Sequence, residues 1–115
     1  MNGKHAEQLA KEFLLERGFT VLGQNVRFRR LEIDLVAKTG RTLVFVEVKG
    51  RTNIEAVPLE EALTRAQQRR LRTAAQAYLL EHPMETDTDE ARFDCVFVDF
   101  SGPTPKVHHI ENAFW

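Results

Sequence analysis

The sequence predicts an α/β fold: a mixed central sheet, flanked by helices, in the order α-β-β-β-α-β-β. Three observations carry this expectation. Two stretches repeat apolar residues at helical spacing. Between them lie three β-rich runs separated by turn-forming residues. The third of these, Leu43-Val-Phe-Val46, is apolar at consecutive positions, as in a central strand covered on both faces. With 115 residues, 43% of them hydrophobic, the chain suffices for one core, and a single domain spanning 1–115 is expected.

From Lys4 to Arg17, Ala6, Leu9, Ala10, Phe13 and Leu14 form an apolar helical stripe that Gly18 ends. Phe19 to Phe28 reads as a strand broken near Gly23, and Leu31 to Ala37 as a second. Thr39-Gly40 supplies a turn into the third strand, Thr42 to Lys49. Pro58 suits the first turn of a long helix, with Glu60 and Glu61 near its positive end and Glu81 at its close. Met84 to Ala91 is acidic and reads as a loop. Arg92 to Phe100 is a fourth strand, Ser101 to Pro105 a turn, and Lys106 to Glu111 a short fifth strand.

Composition excludes several functions. Cys95 is the single cysteine, so neither an internal disulfide nor a Cys-rich zinc site is available. Its apolar neighbours mark it as a buried, inert thiol. Gly40 and Gly50 are isolated and make no phosphate-cradling loop. His108 and His109 are adjacent on a strand, face opposite ways, and cannot chelate one ion together. Residues Met1 to Glu7 lack the apolar core of a signal peptide, and no apolar run approaches the roughly 20 residues that span a bilayer. A cytoplasmic protein without a membrane partner is expected.

The net charge of −1 conceals a segregation. Between Arg27 and Arg72 lie eleven of the sixteen Lys/Arg but only six of the seventeen Asp/Glu, a local balance of +5. Such a stretch suits a polyanionic substrate.

Inside that stretch, Asp34, Glu47 and Lys49 interrupt apolar strands. Charge in such a setting is costly unless it is paired or holds a metal. Glu47 and Lys49 share a strand face, as do Glu32 and Asp34 on the preceding strand. A two-residue turn at Thr39-Gly40 pairs Glu32 with Glu47 and leaves Asp34 diagonal to Glu47, about 7–8 Å away, within the span of one ion. A three-residue turn would put Asp34 on the other face. Mg²⁺ prefers oxygen ligands, and Asp34, Glu47 and the Val48 carbonyl could supply them. Lys49 could orient a water and stabilise charge on a phosphorane. This set fits divalent-metal cleavage of a phosphodiester. Arg27, Arg29, Arg30 and Arg51 flank it and are candidates for nucleic-acid contact. Arg65, Arg69 and Arg72 form a stripe along the long helix that could track phosphates or lie solvated beside Glu61.

The motifs extend along nearly the whole chain. They comprise Gly3 and Glu7, Asn25-Val-Arg27, Glu32-Ile-Asp-Leu35, and Val44-Phe-Val-Glu-Val-Lys49 with Arg51. Ala62, Leu71, Ala75, Tyr78-Leu79, Arg92-Phe-Asp94 and Ala113-Phe114 complete the set. Together they resemble the YraN-like family of small uncharacterised bacterial proteins. More widely, they resemble the PD-(D/E)XK nucleases, including archaeal Holliday-junction resolvases.

The resemblance implies a restriction-endonuclease-like core and a Mg²⁺ (or Mn²⁺) site built on Asp34, Glu47 and Lys49. Glu7 would approach that site from the first helix. It implies hydrolysis of DNA, structured or branched, or a nucleic-acid-binding module that keeps the fold without catalysis. Two positions depart from the family pattern. Leu31 stands in place of Gly, and Gln67 in place of a Lys that could contact phosphate. A homodimer is compatible with the resemblance to resolvases. A third reading makes the apolar tail, Ile110 to Trp115, a docking surface.

Overall fold

The computed structural model describes residues 3–52, 63–83 and 88–114. The order is α1 (Gly3–Glu16), β1 (Thr20–Phe28), β2 (Leu31–Thr39), β3 (Thr42–Arg51), α2 (Arg65–Glu81), β4 (Glu90–Asp99) and β5 (Lys106–Phe114). The strands form one sheet in sequential order. Three neighbouring pairs are antiparallel, whereas β3 and β4 run parallel. Parallel neighbours need a crossover, and α2 lies on that connection. This is the mixed sheet that the sequence predicted.

Alternation along β3 divides the core. Val44 and Val46 pack with Leu35, Ala37, Val96 and Val98 beneath Ala6, Ala10 and Leu14 of α1. Leu43 and Phe45 pack with Val36 beneath Ala74, Ala75 and Tyr78 of α2. The helices therefore cover opposite faces, and β3 is central as its continuous apolar run required. Gly18, at φ +90°, turns the chain after α1 so that the Phe19 N–H reaches the Leu14 carbonyl at 3.0 Å.

α2 begins later than the sequence suggested. Pro58, Glu60 and Glu61 lie outside the described residues, but the chain at Leu63 and Thr64 is not helical. Thr64 is the N-cap of α2: its hydroxyl accepts from the Gln67 N–H, and Gln67 Oε1 accepts from the Thr64 N–H. This reciprocal capping box satisfies two donors that a helix start leaves unpaired, and so fixes the boundary. β5 runs three residues past its expected end. Ile110, Ala113 and Phe114 pack around Leu63, Cys95 and Phe97, so this part of the tail serves the protein's own core. Trp115 lies outside the described residues.

Asp94 is the one fully buried charged residue among those described. It accepts hydrogen bonds from Arg92 Nε and Nη2 (3.0 and 3.2 Å) and from the Asn112 N–H (3.1 Å), and His109 Nε2 lies 2.7 Å away. Burial pushes its carboxyl upward, but the bonds from His109, Arg92 and Asn112 outweigh that and hold it below the usual carboxylate range. Asn112 adopts φ +52° where the β4–β5 register shifts, which aims its N–H at Asp94. Among the described residues, no helix is long and apolar enough to cross a membrane.

Candidate metal centre and adjoining cleft

The site forms where β2 and β3 part. Thr39 pairs with Thr42, so the two-residue turn is Gly40-Arg41 rather than Thr39-Gly40. Gly40, at φ +57°, supplies the positive φ that such a tight hairpin needs. The register is therefore displaced by two residues from the expected one. The ladder ends at Leu35 and Val46, and one further step sets Asp34 opposite Glu47 instead of diagonal to it. Beyond that point the Val48 N–H donates to Asp34 Oδ2 at 2.8 Å. Ile33 and Val36, three residues apart, share one apolar cluster, so strict alternation in β2 is also interrupted around Asp34.

This placement makes Asp34 a weak acid. Burial, a hydrogen bond with Glu47 and the negative charge of Glu47 together push its carboxyl up to about 8, against the opposing Val48 N–H. Near neutral pH, Asp34 therefore holds its proton. Lys49 Nζ lies 3.5 Å from Glu47 Oε2, and both side chains are partly buried.

Two further carboxylates complete the cluster. Oxygens of Glu7, from α1, and of Glu32 and Asp34, from β2, all lie within 4.8 Å of one another. Asn25 Nδ2 donates to Glu7 Oε1 and to Glu32 Oε1, each at 2.8 Å. Asn25 sits between the pairs Gln24–Leu35 and Val26–Ile33, hence opposite Asp34, and adopts φ +46°. That left-handed conformation is uncommon for a strand residue and is best tolerated by Asn or Gly. Burial raises the Glu7 carboxyl, the Asn25 bond opposes the rise, and the charges of Asp34 and Glu32 add to it. Arg27 Nη2 approaches Glu32 Oε2 at 3.6 Å from the exposed side.

The structure thus brings Asp34, Glu47, Lys49 and Glu7 together. Val48 meets the cluster through its N–H. Sequence reasoning placed Glu32 on the correct face but left it out of the ligand set, and it gave Asn25 no role.

The basic residues divide into separate groups. Arg29 and Arg30 form the β1–β2 turn, with the Arg29 guanidinium 5.4 Å from the Phe28 ring centre. Arg51 ends β3. A cleft of about 120 Å³ adjoins the acids, lined by Arg30, Leu31, Glu32, Glu47, Gln67, Arg70 and Leu71. Arg65, Arg69 and Arg72 line a different hollow, of about 340 Å³, with Gln68. Arg72 also lies over the Phe114 ring at 5.7 Å. The expected stripe is real, but Arg70 is the α2 arginine beside the acids. Its place three residues after Gln67, on the same side of the helix, was the available signal.

Four carboxylates, one with its ionisation suppressed, form a set of hard oxygen donors. That donor set fits Mg²⁺ or Mn²⁺ and gives no soft ligand for zinc or copper. Fold and site together define an α/β protein with a carboxylate cluster at the parting of two central strands. Residues 6–98 match the profile described as uncharacterised protein family UPF0102. A UPF0102 protein of Geobacter metallireducens is 41% identical over 112 residues, covering 97% of this chain and 90% of its own. One from Symbiobacterium thermophilum is 43% identical over 114 residues, covering 97% and 94%. One from Chlorobium chlorochromatii is 40% identical over 119 residues, covering 98% and 90%. The chain belongs to the UPF0102 family, in agreement with the resemblance that its motifs carry.

Proposed function

We propose that this protein is a divalent-metal-dependent endonuclease that hydrolyses phosphodiesters in DNA, with structured or branched DNA as its substrate. The observation that carries this reading is the convergence of the Glu7, Glu32 and Asp34 oxygens within 4.8 Å, beside the Glu47–Lys49 pair. In this reading Asp34 and Glu47 hold Mg²⁺ or Mn²⁺, with Glu7 and Glu32 completing the oxygen set. The chemistry such an ion would supply there is polarisation of the scissile phosphate and a lowered pKa for a bound water.

The chain's own residues do the rest. Asp34 would have to give up its proton to act as a ligand, and the Val48 N–H, which donates to its Oδ2, would keep the resulting carboxylate aimed. Asn25 holds Glu7 and Glu32 at one separation, so two mobile side chains start in place. Lys49, freed from Glu47, can orient the attacking water and donate to the phosphorane oxygens. Arg27, paired with Glu32, and Arg30, in the adjoining cleft, are the first candidates to position the backbone, followed by Arg29 and Arg51.

Calorimetry with Mn²⁺ tests the site: wild type binds, and Asp34→Ala and Glu47→Ala do not. A panel of single-stranded, duplex, flap and four-way-junction DNA with Mg²⁺ or Mn²⁺ tests the activity, with Lys49→Ala as the inactive control. Absence of metal binding by wild type overturns the proposal. Leu31 and Leu71 in the cleft beside Glu47 favour one alternative, a non-catalytic DNA-binding module whose approach to the acids is narrowed. Metal binding with no cleavage on any substrate selects that alternative.

A further inference from the structure

We propose that Arg30, Gln67 and Arg70 form a seat for one phosphodiester group next to the metal-held one. The substrate backbone then passes from the acid cluster into the cleft between the Arg29–Arg30 turn and α2. This inference rests on the nuclease reading and adds to it the path of the strand.

Three features support the seat. First, Glu47 belongs to both the acid cluster and the cleft, so a group in the cleft adjoins a group at the cluster. Second, the cleft holds about 120 Å³, well below the ~300 Å³ at which pockets for whole small molecules begin. It admits a phosphate and excludes a base pair. Third, its non-acidic polar groups are donors. Arg30 and Arg70 enter from separate elements, and neither forms an ion pair among the described residues.

Gln67 is oriented by the helix itself. The Thr64 N–H requires an acceptor and takes Gln67 Oε1, which leaves Nε2 as the group that can address a ligand. Two guanidinium groups and an amide NH₂ match the acceptor-only oxygens of a phosphate. The acids in the cleft already have partners: Glu32 has Asn25 and Arg27, and Glu47 has Lys49.

The test is the salt dependence of binding to a labelled four-way junction, read by anisotropy with Ca²⁺ in place of Mg²⁺. Each phosphate contact contributes about 0.7–0.9 to the slope of log affinity on log salt. The seat predicts that Arg30→Ala with Arg70→Ala removes about one such contribution in total, and each single change no more than that. Gln67→Glu keeps the capping box, because Glu serves equally well at that position, while replacing the donor with a negative charge. It should melt no lower than wild type and bind the junction at least about tenfold more weakly.

An unchanged slope in the double variant, a loss of two contributions, or wild-type affinity in Gln67→Glu overturns the seat. Absence of junction binding by wild type also overturns it. Calorimetry with Mn²⁺ separates this from the nuclease reading. Metal binding with an unchanged slope discards the seat and leaves the metal site. No metal binding by wild type discards the nuclease reading, and the slope then judges the seat alone.

Discussion

Asp34 makes the most direct prediction, because under the proposed function its proton and a metal ion would compete for the same oxygens. With its carboxyl raised to about 8, Asp34 is neutral in most molecules at pH 6 and ionised in half of them at pH 8. A cation that needs the carboxylate must displace that proton, so apparent affinity follows the ionised fraction. That fraction rises roughly 50-fold between pH 6 and pH 8, about tenfold per unit at first and then levelling off. Calorimetry of Mn²⁺ binding under argon, repeated in buffers of different ionisation enthalpy, measures both the affinity and the protons released. About one proton per ion is expected at pH 6 and about half a proton at pH 8.

The same group sets a stability trend in metal-free protein. Its folded pKa lies above the unfolded value near 4, so the folded state retains the proton longer. Stability therefore falls as pH rises through the window from about 4 to about 8. Asp34→Asn, a neutral isostere, removes that dependence. It should be more stable than wild type at pH 8.5, by an amount on the order of 5 kcal/mol, with the gap closing toward pH 4. Flat metal affinity between pH 6 and pH 8 without proton release would refute the reasoning, since carboxylates with ordinary pKa values give that result.

Three other perturbations test the supports of the site. Asp94→Ala strips the shared acceptor from Arg92 and His109, and urea unfolding should show a loss of about 3–5 kcal/mol. In wild type, the depressed Asp94 pKa means that its contribution is fully present above the unfolded value near 3.9. It is lost as pH falls through the folded value, which acid titration of the melting temperature will register. Asn25→Ala deletes the bond that holds the Glu7 pKa down, so carbon-detected NMR titration should find Glu7 ionising at higher pH than in wild type. Thr64→Ala removes the N-cap of α2 and should cost about 0.5–2 kcal/mol in the same unfolding assay.

What the sequence made legible follows from periodicity. The run Leu43 to Val46 identified the central strand, and the stripe Ala6, Ala10 and Leu14 identified the helix above it. Family motifs then placed Glu7 near Asp34, a long-range contact that no local pattern contains. The misjudged features depend on geometry that residue types leave open. Pro58 and a helix-favouring composition suggested an early α2, yet the Thr64–Gln67 capping box was a stronger boundary signal within the same stretch. Arg65, Arg69 and Arg72 were grouped by spacing alone, and spacing does not say which side of α2 faces the acids. Arg70 answers that only once Leu71 and Ala74 are known to be buried against the sheet. Asp94 carries a motif match, but its partner His109 belongs to another strand, and no local pattern links the two.

The misplaced turn shows why Asp34 and Glu47 still come together. Thr39-Gly40 and Gly40-Arg41 both close a hairpin with two residues, and exchanging them slides one strand past the other by two positions. Side chains alternate with period two, so an even displacement changes neighbours without changing faces. Glu47 therefore moves from diagonal to opposed and stays within reach of Asp34, with which it is hydrogen-bonded, even though the alternation of β2 is interrupted there. The consequence is chemical. Opposed carboxylates can share a proton, whereas diagonal ones about 7–8 Å apart are spaced to sit on either side of an ion. Under the proposed function, the observed register would make the Asp34 proton and a metal ion competitors for the same oxygens, and the pH dependence of Mn²⁺ binding tests that register in solution.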